Sequence, residues 1–260
     1  MIDYDFHIHT EYCGHAEEMT VEAICRRADR MALRCIAITD HIYGPDDKAV
    51  IQKIRRQAQQ ARPRCQVIVG AEIDVDGRFD DGRLVIDDVS DLDYVIAGYH
   101  YIPTLGHYPH SPDDCPMMPE EFLGLWEKSL LGIVSNPKVD TLAHPGRLLA
   151  SCVDLPSYLD WALAVFKEAA ALSARHQIAW ELNELTGRRL AAPLYRNWVK
   201  IYQIALEAGV QLIYGSDAHD PDSIGSCACS ETILDCLPAD SLSSPEDLPA
   251  ARQWTNPISS

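Results

Sequence analysis

Ile2-Asp3-Tyr4-Asp5-Phe6-His7-Ile8-His9-Thr10 is a short, largely apolar run that ends in two histidines separated by one residue. In extended backbone successive side chains alternate faces, so His7 and His9 project together and Ile8 projects the other way. Two imidazoles on one face can share a metal ion.

The same arrangement, an apolar run closed by a histidine or an acid, recurs along the chain. His15 follows Gly14; Ile38-Thr39-Asp40-His41, Gly70-Ala71-Glu72, Gly98-Tyr99-His100, Ala143-His144-Pro145-Gly146-Arg147 and Gly215-Ser216-Asp217-Ala218-His219 each lie just past a run. The runs predict strands at Ile2–His7, Cys35–Thr39, Gln66–Ala71, Tyr94–Gly98, Thr141–Ala143, Ile178–Leu182 and Gln211–Tyr214. Amphipathic stretches between them predict helices at Val21–Leu33, Lys48–Ala61, Pro119–Ser135, Leu155–His176 and Pro193–Ala208. Thr20 is placed to cap the first of these, and Gly209 to close the last.

Strands alternating with helices predict a parallel sheet of repeated βα units, in a chain long enough for one α/β barrel-sized domain or two small ones, and residues 1–237 are read as a single such domain. In such a barrel the carboxyl ends of all strands open on one face, so residues from His7 to His219 would converge there. Between Asp74 and Asp93, Asp76-Gly77 and Asp81-Gly82 signal turns, and a small hairpin is expected. Tyr101–Pro119 carries no regular period and reads as a long loop of the kind that forms lids or substrate contacts. The Ser- and Pro-rich residues 238–260 read as a loose surface tail.

A lone histidine at a strand end is ordinarily a surface or hydrogen-bonded residue, but seven gathered at successive strand ends are not explained that way. Imidazole with carboxylate and without cysteine suits zinc, manganese or iron in a reactive site, not a thiolate-bound structural zinc.

The motifs His7-x-His9-Thr10, Thr39-Asp40-His41, Glu72, His100, His144-Pro145 and Asp217-x-His219 resemble those of the polymerase and histidinol phosphatase (PHP) superfamily, from residue 3 to about 230. The resemblance implies a distorted TIM-like barrel of seven βα units and three divalent metal ions. It implies one ion held by His7, His9, Glu72 and Asp217, a second by Glu72, His100 and His144, and a third by His15, His41 and His219, with Glu72 as bridge. All nine ligand positions hold ligand-type residues. The chemistry natural to such a cluster is phosphate-ester hydrolysis by a metal-activated water. The expected substrate is a small phosphomonoester, with L-histidinol phosphate the family's best-known case. The rival readings are a phosphodiesterase or nucleotide phosphatase on the same cluster, and a metal-binding module without turnover.

Glu72, Asp217, His219 and Arg147 are expected to carry turnover, Arg147 as a clamp on phosphate oxygens. Arg188 and Arg189 are weaker candidates for that clamp. Asn183 is expected either to orient a ligand or substrate hydroxyl or to make a structural hydrogen bond, Asp40 to support its neighbours, Cys13 to be a buried thiol, and His107 and His110 to face solvent.

Lys and Arg number 22 against 39 Asp and Glu, a net charge of -17 that disfavours nucleic-acid polymers and anionic membranes. A small phosphate remains a fitting partner, since bound divalent ions can supply local positive charge. Without a signal-peptide pattern or a spanning apolar run, a cytoplasmic location is expected. The nine cysteines, an odd number with no CxxC pair, then read as reduced thiols. Oligomeric state is not legible.

Overall fold

The chain is described by a computed structural model over residues 2–189 and 192–254. Strand β1 (Tyr4–Ile8) pairs in parallel with β2 (Cys35–Ile38), and β2 with β4 (Gln66–Val69). After Thr39-Asp40 the chain of β2 resumes as the short β3 (His41–Ile42), and after Gly70 that of β4 resumes as β5 (Ala71–Asp74). From these a second parallel sheet runs in the order β3-β5-β6-β7-β8-β9, with β6 at Val95–Gly98, β7 at Thr141–Leu142, β8 at Ala179–Asn183 and β9 at Leu212–Gly215. The two edges meet: the backbone N–H of His9 donates to Ala218 O at 3.1 Å, and that of Ala218 to His7 O at 3.3 Å. Strand order and closure fit the distorted TIM-like (β/α)7 barrel expected, with the two interruptions as its distortion.

Helices α1 (Val21–Arg30), α2 (Ala49–Ala61), α3 (Pro119–Ile133), α5 (Leu155–His176) and α7 (Ala192–Glu207) fall in the predicted stretches. The Thr20 hydroxyl accepts from Ala23 N at 3.2 Å, as a cap should, and Gly209 has φ +84°. Three shorter helices were not predicted: α4 (Arg147–Cys152), α6 (Glu184–Arg189) and α8 (Ala228–Leu234). At six or seven residues each, they are too short for a 3.6-residue period to stand out.

Alternation along the strands sorts the core into two populations. Outward-facing Ile36, Ile38, Val67, Val69, Ile73, Trp180 and Leu182 belong to the cluster beneath the helices, with Ile24, Ile54, Phe122, Phe166 and Trp198. Inward-facing Phe6, Ala37, Ile68, Ile96, Ala179 and Ile213 form a separate cluster with Tyr4 and Tyr94. In β1 the alternation is broken. Asp5 is opposite Ile36 but Ile8 is opposite Ile38, so one extra residue bulges there. The bulge lets Phe6 join the inner apolar cluster while the next residue, His7, also turns inward, and Ile8 returns to the outer one.

The Asp74–Asp93 segment makes a narrow antiparallel contact, Val75 with Leu84, in place of a regular hairpin. The C-terminal stretch expected as a loose tail is docked across residues 241–254. Leu242 bridges to Leu212, Leu248 and Ala250 are buried with the inner cluster, and the Trp254 ring lies 5.5 Å from that of Phe6. Its apolar residues cover the amino end of the barrel, which composition could not disclose. Among the described residues no helix is long and apolar enough to cross a membrane.

Candidate metal centre

All nine predicted donors meet at the carboxyl end of the strands. Glu72, on β5, is at the centre and is 1% exposed. Its carboxylate divides the histidines: Oε2 is 3.1 Å from His7 Nε2, 3.4 Å from His9 Nε2 and 3.1 Å from His41 Nδ1. Oε1 is 2.9 Å from His144 Nε2 and 3.5 Å from His100 Nε2. Asp217 Oδ1 is 3.3 Å from His9 Nε2. Donor atoms of His15, His41 and His219 lie within 4.8 Å of one another, forming a third group beside the first two.

Space for a buried carboxylate comes from glycine. A Cβ on Gly98 would stand 2.8 Å from Glu72 Oε1, and one on Gly215 would stand 2.2 Å from the Oε1 of a second buried acid, Glu181. Two donors sit in left-handed backbone that side chains rarely adopt, His144 at φ +29° and Asp217 at φ +56°. Such strain, on the order of 1–3 kcal/mol per residue, persists where the surrounding structure dictates it and tends to collect at functional sites.

Around the donors runs a ring of acids that sequence reading did not assign. Glu181 Oε1 is 2.7 Å from His7 Nδ1, and its Oε2 accepts from His144 N at 2.7 Å. Asp74 Oδ1 is 2.7 Å from His100 Nδ1. Each of these acids fixes a tautomer: with Nδ1 donating, Nε2 of His7 and of His100 presents a lone pair to the centre. A usable signal was present, because an acid inside an apolar strand run such as Ile178–Leu182 needs a partner. Asp40 accepts from the Thr10 backbone N–H and hydroxyl, holding the turn after β1, in keeping with its expected supporting role. Asn183 Nδ2 donates to Asp217 Oδ2 at 3.3 Å, so it orients a candidate ligand.

The electrostatics divide the histidines, with burial favouring the neutral form of four of them. Burial pushes His9 down to about 3 and holds His41 well below its usual value; His144 and His219 are lowered too, again first by burial. Burial opposes ionisation of Glu72 and Asp217. The surrounding histidines, and Arg147 for Asp217, outweigh it and hold both carboxyls well below their usual range. His7 and His100 go the other way: burial resists their charging, but Glu181 and Glu72 for His7, and Asp74 and Glu72 for His100, raise them.

Several donor contacts fit a divalent cation. His7 Nε2 and His9 Nε2 face each other at 3.0 Å, and His100 Nε2 and His144 Nε2 at 3.1 Å. Lone pairs converging on one another and on Glu72 are stabilised by a shared positive charge between them. The buried Nε2 of His219 has no hydrogen-bond partner, while its Nδ1 is 3.0 Å from Asp217 O, leaving Nε2 for coordination.

Arg147, the first residue of α4, is half-buried at the mouth, with Nη1 donating to Asp217 Oδ2 at 2.7 Å and its guanidinium carbon 5.9 Å from the Tyr108 ring centre. Its Nε is buried without a partner. Arg188 is engaged elsewhere, donating to Ser223 Oγ at 3.0 Å and Ser226 Oγ at 2.6 Å, which removes it as an alternative clamp. The Arg189 side chain lies outside the described residues. His107 and His110 are exposed, as expected. Cys13 is half-buried, its Sγ within 4.8 Å of donor atoms of His9 and His219, and all nine cysteines are free.

The sequence and the fold have counterparts among known proteins. The model of the PHP domain family matches residues 5–185. A probable phosphatase of Caldicellulosiruptor bescii is 27% identical over 90% of this chain and 86% of its own length. Among solved structures, the histidinol phosphate phosphatase of Lactococcus lactis, complexed with zinc, L-histidinol and phosphate, superposes with a TM-score of 0.66. It is 17% identical, over 90% of this chain and 93% of that one. A structure described as a putative histidinol phosphatase from Listeria monocytogenes gives a TM-score of 0.61 at 17% identity, over 85% of this chain and 97% of its own.

Proposed function

The chain belongs to the PHP domain family, and on that premise we propose that it is a metal-dependent phosphoesterase hydrolysing a small phosphomonoester. The observation that carries this reading is the divided carboxylate of Glu72, with three histidines facing one oxygen and two facing the other. His7, His9, Glu72 and Asp217 would hold one divalent ion, Glu72, His100 and His144 a second, and His15, His41 and His219 a third. Zinc, manganese and iron all suit this donor set. When bound, the metals supply positive charge for phosphoryl oxygens and lower the pKa of water to near neutrality.

The residues of the chain do the rest. Glu181 and Asp74 keep His7 and His100 in the tautomer that offers Nε2. Arg147 brings a planar fork to the mouth, where it can exchange Asp217 for two oxygens of a phosphate. Asn183 and the strained backbone at Asp217 hold that carboxylate in place as Arg147 leaves it. The relatives named probable phosphatase, and the fold shared with histidinol phosphatases, support the same reaction class.

The test is elemental analysis of protein purified without chelator, followed by phosphate release from a panel that includes L-histidinol phosphate, sugar and nucleotide monophosphates and diesters. Two to three equivalents of transition metal are expected, with release from monoesters. Glu72→Gln, which removes the charge shared by two donor groups, should lower both metal content and turnover, turnover by about a thousandfold. Full metal content with no hydrolysis of any ester would leave a metal-binding module, and release from diesters alone would make the protein a phosphodiesterase.

A further inference from the structure

A cavity of about 650 Å³ opens beside the centre, between the segment following β5 and the start of the 101–119 loop. It is flanked by Tyr43 and Tyr101, with Val75, Val85 and Ile102 contributing apolar wall and Asp74 its inner end. Its volume is that of a small-molecule site.

Both tyrosines connect the cavity to the donor histidines. The Tyr43 ring stacks on His41 with centroids 4.9 Å apart, and the Tyr101 ring meets His100 edge-on at 6.4 Å. His41 and His100 face opposite oxygens of Glu72, at 3.1 Å and 3.5 Å, so the cavity leads to the middle of the centre. Asp74, at the inner end, is the residue that holds His100. A phosphoryl group at Glu72 would therefore project its ester oxygen, and the alcohol beyond it, between the two rings.

The lining chooses among alcohols. Two aromatic rings and aliphatic side chains favour a flat or apolar body, which gains from stacking and from burial of its surface. The cation on the wall is Arg78, and it is bound to Asp76 through two contacts, Nε to Oδ1 at 2.8 Å and Nη2 to Oδ2 at 2.6 Å. That pair, next to Asp74, leaves no free positive charge in the cavity for a second phosphate.

We propose that this cavity is the leaving-group subsite, with Tyr43 and Tyr101 as specificity-determining residues, and that it selects monophosphates of aromatic or otherwise apolar alcohols over polyhydroxylated or doubly phosphorylated ones. The proposal rests on the phosphomonoesterase reading above. Gly77 fits it as well, since a Cβ there would stand 2.9 Å from Tyr101 Cβ and push that ring out of the wall.

The test compares kcat/KM for benzyl phosphate, glycerol 2-phosphate and fructose 1,6-bisphosphate in the metal-loaded protein and in Tyr101→Ala, Tyr101→Phe and Tyr43→Ala. The unaltered protein should prefer the benzyl ester at least tenfold over the other two. Tyr101→Ala and Tyr43→Ala should each lower that preference about tenfold, mainly through KM for the benzyl ester, and Tyr101→Phe should keep it. Saturation-transfer NMR with benzyl alcohol on chelator-treated protein reads the cavity without turnover; the signal should be present in the unaltered protein and weakened in Tyr101→Ala. Hydrolysis of all three esters at similar rates, with no change of preference in the alanine variants, would overturn the subsite and leave the phosphoesterase standing. Benzyl alcohol binding that depends on Tyr101, in a protein that hydrolyses no ester, would keep the cavity as a ligand site and overturn its role as a leaving-group subsite.

Discussion

The two ends of the barrel interior are built by the same strands and share almost nothing. At the amino end Phe6, Ile68, Ile96 and Ala179 meet apolar surface, Tyr94 and Phe6 pack edge to face at 5.3 Å, and residues 241–254 close the opening. At the carboxyl end, the same strands continue into His7, Glu72, His100 and Glu181, with glycines making room and two residues held in left-handed backbone. One end is stabilised by removing surface from water, the other by charges that are satisfied only collectively. The comparison teaches that a change at the floor should alter stability while sparing the centre, and a change at the centre should do the reverse.

The sharpest separation is expected from Glu181→Gln. The amide keeps the size but can present its NH2 group to His7 Nδ1, disturbing the tautomer, and a loss of about 10- to 100-fold in metal affinity should follow. Metal titration followed by turnover checks this, and activity should recover at high metal concentration. Unaltered affinity would mean that Glu181 only supports the backbone of His144.

Arg147→Ala should act on substrate and not on metal. It removes charge-assisted hydrogen bonds of roughly 1.5–3 kcal/mol, so KM should rise by about one to two orders of magnitude. Arg147→Lys should recover part of this, because a point charge cannot make the bidentate contact. Metal content on the same preparations distinguishes a lost clamp from a loosened Asp217, the residue Arg147 touches here.

The floor is probed by Trp254→Ala. The indole packs on Phe6 and donates Nε1 to Asp93 O at 2.9 Å, and its half-buried position makes a loss of about 2 kcal/mol reasonable. Urea unfolding should show a lower midpoint with metal stoichiometry unchanged. A fall in stoichiometry would show that the two ends are coupled through Phe6 and its neighbour His7.

The smallest effect concerns pH. Asp140 is half-buried just before β7, where it accepts from Val95 N at 2.8 Å, and burial pushes its carboxyl up to about 6. A folded-state value above the unfolded one means that its contribution is fully present below about pH 4 and is lost as pH rises through about 6. Asp140→Asn keeps an acceptor for Val95 and does not titrate, so it should gain stability relative to the unaltered protein as pH rises from about 4 to about 7. Denaturation at both pH values reads the difference; an equal gap at each would remove Asp140 from the pH dependence.

How much was legible follows from what each feature looks like in one dimension. The convergence of histidines and acids from the strand ends was legible because an apolar run stopping at histidine is a local pattern, and so were the long helices and the Thr20 cap. Glu181 was passed over because its partners, His7 and the backbone of His144, are 174 and 37 residues away. The bulge in β1 was not legible either. A one-residue slip against β2 leaves no mark in the sequence of β1, yet it lets Phe6 and His7 both face inward. The docked 241–254 segment was misread because Ser and Pro recur through the 238–260 stretch, while its anchoring is done by a few apolar residues, Leu242, Leu248 and Trp254.

That docking also sets an order of events in time. Tyr4 donates its hydroxyl to the carbonyl of Ser243, 239 residues further on, and the closing bridge joins Ile8 to Ala218. As the chain emerges from the ribosome, β1 has only β2 to lean on, and the partner at its other edge, at Ala218, arrives only after the seven intervening strands. Throughout that interval His7 and His9 stand on an open sheet edge, without Glu181 or Asp217. Completing the centre and closing the floor therefore both wait for segments far along the chain, and a chain stopped short of β9 would carry the candidate donors His7 and His9 with nothing to confine what they hold.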